Sequence, residues 1–295
     1  MKVSVGVCAY NEEKNIGRLL TSLINQKTKK IKIDEIFVVS SGCTDRTNDI
    51  VKEYEKKDKR IKLIDQKKRE GKSSAINLFL NKAKNEILVL ESGDTYPEED
   101  AIEKLCLPFF DNEVGMTGSR PVPVNEDKDF MGFMVNFFWE LHHEIAMKNP
   151  KCGELVAFRD FVKEIPKESA VDEASIEAIV KGNNYKLEYV PDAIVRNRGP
   201  ASVKDFLIQR RRINAGHIWL EKMQKHKVAT DKLSNVIGLA LGKFSLNLKK
   251  NMWIIKAMLI EAYGKFLGRY DYYVKKKNPY IWDIAKSTKE VIKDV

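Results

Sequence analysis

The chain has 295 residues, 43% of them hydrophobic and 32% charged, and its 52 Lys+Arg against 42 Asp+Glu leave a formal net charge of +10. This is chain enough for one large or two small domains with a real core, and the balance excludes a disordered chain and a polytopic membrane protein. The charge is unevenly placed: residues 201–295 hold 20 basic against 8 acidic side chains, a balance of +12, which leaves −2 for the first 200. Confined in this way, the basic excess points to a C-terminal surface that meets an anionic partner. The four cysteines (Cys8, Cys43, Cys106, Cys152) are scattered singly and write neither a CxxC metal site nor a disulfide framework, a usage that fits a reducing, cytosolic compartment. The opening Met1-Lys2-Val3-Ser4-Val5 reads as a strand, with no secretory signal pattern before it.

In chain order, Val3 to Val7 is a β-branched run suited to a strand buried on both faces. A polar turn follows, then a helix carrying Ile16, Leu19, Leu20, Leu23 and Ile24 at helical spacing. Strands are expected at 36–39, 61–64 and 87–90, with helices at 47–54 and 73–83 between them. This alternation predicts an α/β fold, a mostly parallel sheet flanked by helices, in which ligands bind beyond the carboxyl ends of the strands. Farther on, 130–147 and 171–181 read as helices and 187–190 as a strand. Residues 202–226 read as a basic helix, 232–268 as one or two amphipathic helices, and 269–295 as an aromatic, lysine-rich end.

The residues just after each strand carry the chemistry. Tyr10 and Asn11 follow the first strand, and Ser41, Thr44 and Asp45 the second; a ring and a carboxylate at one sheet edge can clasp a flat base. Gly71-Lys72-Ser73 sets a glycine and a lysine at a helix start, where backbone N–H groups and the dipole favour phosphate, although the Walker A spacing is absent. Glu91-Ser92-Gly93-Asp94 ends the fourth strand with a carboxylate placed to hold Mg2+ or Mn2+ against a diphosphate. Asp172 and Glu173 open a helix, and adjacent helical positions diverge by about 100°, so one of the pair is expected to face a site as general base. Gln209 and Arg212 share a helix face, where an arginine takes phosphate bidentately.

The ordered set Val7-Cys8-Ala9-Tyr10-Asn11-Glu12-Glu13, Ser41-Gly42-Cys43-Thr44-Asp45-Arg46-Thr47, Gly71-Lys72-Ser73-Ser74-Ala75-Ile76-Asn77, the acidic turn ending at Asp94, and Gln209-Arg210-Arg211-Arg212 resembles family 2 glycosyltransferases, inverting enzymes of GT-A fold, over about residues 1–220. The resemblance implies that Ala9, Tyr10, Asn11, Glu13, Ser41 and Asp45 surround the nucleotide of a UDP- or GDP-linked sugar. It implies that Lys72, Ser92, Gly93, Gln209, Arg211 and Arg212 lie along that donor, with Asp94 as the metal residue of the DxD motif. Glu173 matches the catalytic base, beside Asp172. Two positions depart from the pattern. Ser92 stands at the first Asp of DxD, and Ile213 at the Trp of Gln-x-x-Arg-Trp.

The implied organisation is a catalytic domain over 1–220, with a nucleotide-sugar half (1–120) and an acceptor half (121–220), followed by amphipathic, basic helices over 221–295 for a membrane surface or a homodimer. No stretch reaches about 18 uninterrupted apolar residues, so these helices suit an interface more than a span. Tyr270, Tyr272, Tyr273, Tyr280 and Trp282, with Lys275 to Lys277, resemble a headgroup-level belt. The expected protein is therefore a hexosyltransferase acting on a lipid-linked or glycolipid acceptor, peripheral on the cytoplasmic face of the cell membrane. The other classes weighed are a non-catalytic nucleotide-sugar-binding subunit, suggested by Ser92, and a nucleic-acid-binding protein. The mostly lysine excess disfavours the latter, so no nucleic-acid partner is expected.

Overall fold

The computed structural model describes residues 1–228, 233–282 and 285–290. Strands β1 (Lys2–Ala9), β2 (Lys32–Ser41), β3 (Ile61–Gln66) and β4 (Ile87–Ser92) alternate with helices α1 (Ile16–Ile24), α2 (Thr47–Lys57) and α3 (Lys72–Leu80), as the sequence leads one to expect. Next come β5 (Tyr96–Pro97), α4 (Ala101–Cys106), β6 (Val114–Pro123), α5 (Phe130–Lys148), β7 (Val156–Arg159), α6 (Asp172–Gly182) and β8 (Lys186–Asn197). Three helices follow, α7 (Val203–Gln224), α8 (Leu233–Gly242) and α9 (Leu248–Tyr273), and then a short 3-10 turn at Lys286–Lys289. Residue 232 of the expected 232–268 helices, and residues 283–284 and 291–295 of the expected aromatic end, lie outside the described residues.

Among the described residues the strands form one eight-stranded sheet in the order β3-β2-β1-β4-β7-β6-β8-β5. The pairs β1/β2, β1/β4, β2/β3 and β6/β8 are parallel, whereas β7 is antiparallel to both β4 and β6, and β5 is antiparallel to β8. Strand alternation divides the core between the two faces. Val5, Val38 and Val89 pack with Leu19, Leu20 and Leu105 on one side. Phe37, Val39 and Leu90 pack with Ile76, Phe79 and Ile176 on the other. The parallel half carries β1, β2 and β4 with their carboxyl ends at one edge, and that edge is the floor of the cleft.

The C-terminal helices fold back on this body. Helix α9 lies along α7, and Gly264 and Gly268 permit the close approach: a Cβ on Gly268 would fall 2.7 Å from Asn214 Cβ, and one on Gly264 2.9 Å from Arg210 Cβ. Helix α9 buries Ile254, Ala257, Glu261, Gly264, Gly268 and Asp271. The ion pairs Arg210–Glu261 (3.0 Å) and Arg211–Asp271 (2.7 Å) join it to α7. Its apolar side chains Leu248, Met252, Ile255, Leu259 and Phe266 face solvent instead. The helix is amphipathic as expected, but its inward face joins the apolar Ile254 and Ala257 to buried glycines and acids.

Candidate active site

The cleft begins where β1 and β2 end. Ala9 and Tyr10 line it, as does Ser41, whose hydroxyl donates to Gln66 Oε1 at 2.8 Å. The Arg69 guanidinium lies over the Tyr10 ring, 4.1 Å from its centroid. Asn11, in the left-handed region at φ 54°, turns its side chain to the second loop: Thr44 N donates to Asn11 Oδ1 at 2.8 Å. Glu13 N donates to Asp45 Oδ2 at 3.0 Å, and Arg46 N donates to Glu13 Oε2 at 3.1 Å. Asn11, Glu13 and Asp45 thus lace the two turns together at the cleft edge rather than lining the cleft. Burial opposes charge on Asp45, but hydrogen bonds from the Thr47 hydroxyl and from the Glu13 and Thr47 amides outweigh it and hold the carboxyl below its usual range.

Lys72, at the start of α3, is the hub of the site. Its ammonium donates to Ser92 Oγ at 3.1 Å and pairs with Asp172 Oδ2 at 2.8 Å and Glu173 Oε1 at 3.1 Å. The pair therefore meets one partner, against the expectation that only one acid would face the site. Asp172 and Glu173 are the first two residues of α6, and a long lysine side chain reaches both from outside the helix. Burial works against the Lys72 charge, but Asp172 and Glu173 raise its pKa well above the ordinary lysine value. Glu173 is itself pushed up by burial and by Asp172, with Lys72 opposing. A base with a raised pKa in a cleft suits proton abstraction near neutral pH.

Asp94 lines the cleft after β4, on a turn fixed by Gly93 N donating to Cys8 O at 3.0 Å. Other acids crowd it. Burial and Asp94 push Glu12 up to about 7 and likewise Glu154 to about 7. Glu154 sits in the left-handed region, at φ 61°. Among the described residues no three His, Cys, Asp or Glu side chains gather to hold a metal ion. Asp94 offers one carboxylate, and the Ser92 hydroxyl is engaged by Lys72. This donor set fits a hard, oxygen-seeking cation whose shell is completed by diphosphate oxygens and water, the usual habit of Mg2+.

Helix α7 closes the far wall with Gln209 and Arg212, which line the cleft as their shared face requires. Arg211 does not. Its guanidinium donates twice to Asp271 at 2.7 Å, so the expected donor contact is corrected to a link between α7 and α9: one residue before Arg212, it points about 100° away. Tyr280 and Trp282, expected in a headgroup belt, also stand elsewhere and line the cleft. The sequence alone assigns no cleft role to Glu12, Arg69, Glu154, Trp282 or Lys289. Lys289 pairs with Glu12 and donates to the Tyr10 carbonyl. Glu12 stood beside the chosen Glu13, and only the turn geometry separates them; Trp282 and Lys289 carry no local signal.

The family model for glycosyl transferase family 2 matches residues 4–162. The chain belongs to that family. Probable glycosyltransferase YdaM of Bacillus subtilis is 35% identical over 115 residues, covering 38% of this family 2 chain and 27% of YdaM. The chain spans from about a fifth to about a half of the curated relatives it matches first. Among solved structures, the mannosyltransferase PcManGT of Pyrobaculum calidifontis, in complex with GDP-Man and Mn2+, superposes with a TM-score of 0.65 at 20% identity, over 94% of this chain and 86% of that one. Staphylococcus aureus TarS 1–349 in complex with UDP-GlcNAc gives 0.52 at 19% identity, over 90% and 81%. These likenesses establish the GT-A fold.

Proposed function

We propose that this family 2 chain is an inverting glycosyltransferase that moves a hexose from a UDP- or GDP-linked donor to a hydroxyl of a lipid-linked or glycolipid acceptor at the cytoplasmic membrane surface. The observation that carries the reading is the Lys72 cluster, which joins the Ser92–Asp94 turn on the donor side to Glu173. The complexes of PcManGT with a guanosine donor and of TarS with a uridine donor keep both bases in the proposal.

In this reading the nucleotide lies over Ala9, Tyr10 and Ser41, and its diphosphate runs toward Arg212. Glu173 takes the proton of the acceptor hydroxyl. The freed oxygen bonds to the anomeric carbon as the bond from that carbon to the diphosphate oxygen breaks, and the nucleoside diphosphate leaves with the electron pair. One in-line displacement inverts the configuration. Arg212, half-buried and in the field of the cleft acids, offers a fixed cation to the charge that develops on the leaving group. A divalent cation, when bound, would spread that charge further, with Asp94 as its protein ligand.

The membrane part rests on α9. Leu248, Met252, Ile255, Leu259 and Phe266 recur at three-, four- and seven-residue intervals on one exposed face of the helix, from 248 to 266. Lys249 and Lys256 flank the face, each folded over an aromatic ring. An apolar stripe with a lysine rim suits the boundary of an anionic bilayer. Among the described residues no helix is long and apolar enough to cross a membrane. Turnover of a panel of nucleotide sugars with Mn2+, by wild type and by Glu173→Gln, tests the enzyme reading.

A further inference from the structure

Ile213, the residue after Arg212, is aliphatic and packs against Val171, Ala174 and Leu220. The ring that meets Arg212 comes from far along the chain: the guanidinium carbon lies 4.0 Å from the centroid of the Trp282 ring. The Trp282 carbonyl accepts from Arg69 Nη2 at 2.5 Å, and Arg69 in turn covers Tyr10. The Trp282 ring therefore touches the diphosphate end of the cleft while its backbone is tied to the base end.

The place of this ring is fixed on both sides. Upstream, Asn278 Nδ2 donates to the Glu168 carbonyl at 2.7 Å. The Tyr280 carbonyl passes 2.8 Å from where a Cβ on Gly71 would stand, and Gly71 holds φ +94°, so glycine is needed there twice over. Downstream, the Ser287 hydroxyl donates to Asp205, and Ala201 N donates to Ser287 Oγ at 3.1 Å. Asn15 Nδ2 donates to the Lys289 carbonyl at 3.2 Å.

We infer that Trp282 is a positioning residue for Arg212: it holds the guanidinium plane by its face, so that the N–H edge is presented to the phosphate next to the donor sugar. The inference rests on the nucleotide-sugar reading above. A stacked guanidinium gives up none of its hydrogen bonds, because all five N–H groups lie in its plane and the ring occupies only a face. Without the ring, the half-buried Arg212 stands in the field of Asp172, Glu173, Glu154 and Asp94 and is free to swing toward them. Its neighbourhood to Glu173 puts it at the chemical end of the cleft, which is why the phosphate beside the sugar, rather than the one beside the ribose, is its partner.

Calorimetric titration of the full chain with UDP, UMP, GDP and GMP in the presence of Mn2+ tests this, on wild type, Trp282→Ala and Trp282→Phe. Trp282→Ala is expected to weaken the better-bound diphosphate by tenfold or more while its monophosphate changes by less than about twofold, a cost in the range of a stacked cation. Trp282→Phe is expected to restore most of the loss, which a merely structural defect would not show. Diphosphate affinity unchanged in Trp282→Ala, or an equal loss for mono- and diphosphate, overturns the inference alone. A wild type that binds none of the four nucleotides overturns the transferase reading and the inference with it.

Discussion

Lys72 and Glu173 meet across the cleft, ammonium nitrogen to carboxylate oxygen, at 3.1 Å. The contact restrains Glu173, whose pKa burial and Asp172 push upward while Lys72 pulls it down. A general base acts in its ionised form, so activity should rise with pH through the Glu173 pKa. Lys72→Met removes the restraining cation. The acid limb of the kcat/KM profile should then move to higher pH by on the order of one unit. An unshifted limb would detach Lys72 from the base.

Arg211 and Arg212 are neighbours in sequence with separate surroundings: Arg211 pairs with Asp271 and Arg212 lines the cleft. The two 2.7 Å bonds from Arg211 hold Asp271 below the usual carboxylate range. A depressed carboxylate contributes stability above its ordinary pKa and loses it as pH falls through the folded value, so this link weakens only in acid. The Arg211 side chain is 36% exposed, so Arg211→Ala should cost no more than about 1 kcal/mol, a fall of roughly 2–4 °C in Tm. Its affinity for UDP or GDP should match wild type, whereas Arg212→Ala should weaken both. Equal loss in the two variants contradicts the separation.

Glu154 gives a stability signature. Burial, Asp94 and Glu173 raise its carboxyl from 4.5 to about 7 in the folded chain. Between those values the folded state keeps a proton that the unfolded state gives up, so the contribution to stability declines as pH rises from 4.5 to about 7 and is level above. Glu154→Gln removes the decline. Melting curves should show the variant gaining on wild type by on the order of 1 kcal/mol between pH 5 and pH 8. A gap that stays constant with pH would show that Glu154 does not titrate in this window.

The outer face of α9 is the membrane test. Met252 and Leu259 are 63% and 67% exposed, so Met252→Glu and Leu259→Glu should leave the fold within about 0.5 kcal/mol of wild type. Both should lower co-sedimentation with phosphatidylserine vesicles, by losing apolar insertion and by adding like charge. Vesicle binding equal to wild type would remove α9 from the membrane reading.

Periodicity made the βα alternation of the first 92 residues legible, because each element keeps one repeat long enough to read. Strand β7 has only Val156 to Arg159 and enters antiparallel between β4 and β6, so it carries neither length nor rhythm as a signal. Gln209 and Arg212 follow from helical spacing, and the same spacing turns Arg211 away. Amphipathicity of α9 is legible, but not the acids on its inward face: Glu261 and Asp271 find arginine partners on α7, which only the tertiary fold supplies. Trp282 lies 70 positions beyond Arg212, and no local pattern joins them.

As proposed above, Glu173 is the base of a sugar transfer. The most direct measurement is release of nucleoside diphosphate from UDP- and GDP-sugars with Mn2+, by wild type and by Glu173→Gln at equal nucleotide occupancy. The base role requires wild-type turnover on at least one donor and a loss of about 10²–10⁴-fold in the variant, with nucleotide affinity retained. Equal turnover by the two proteins, or none by the wild type on any donor, would contradict it.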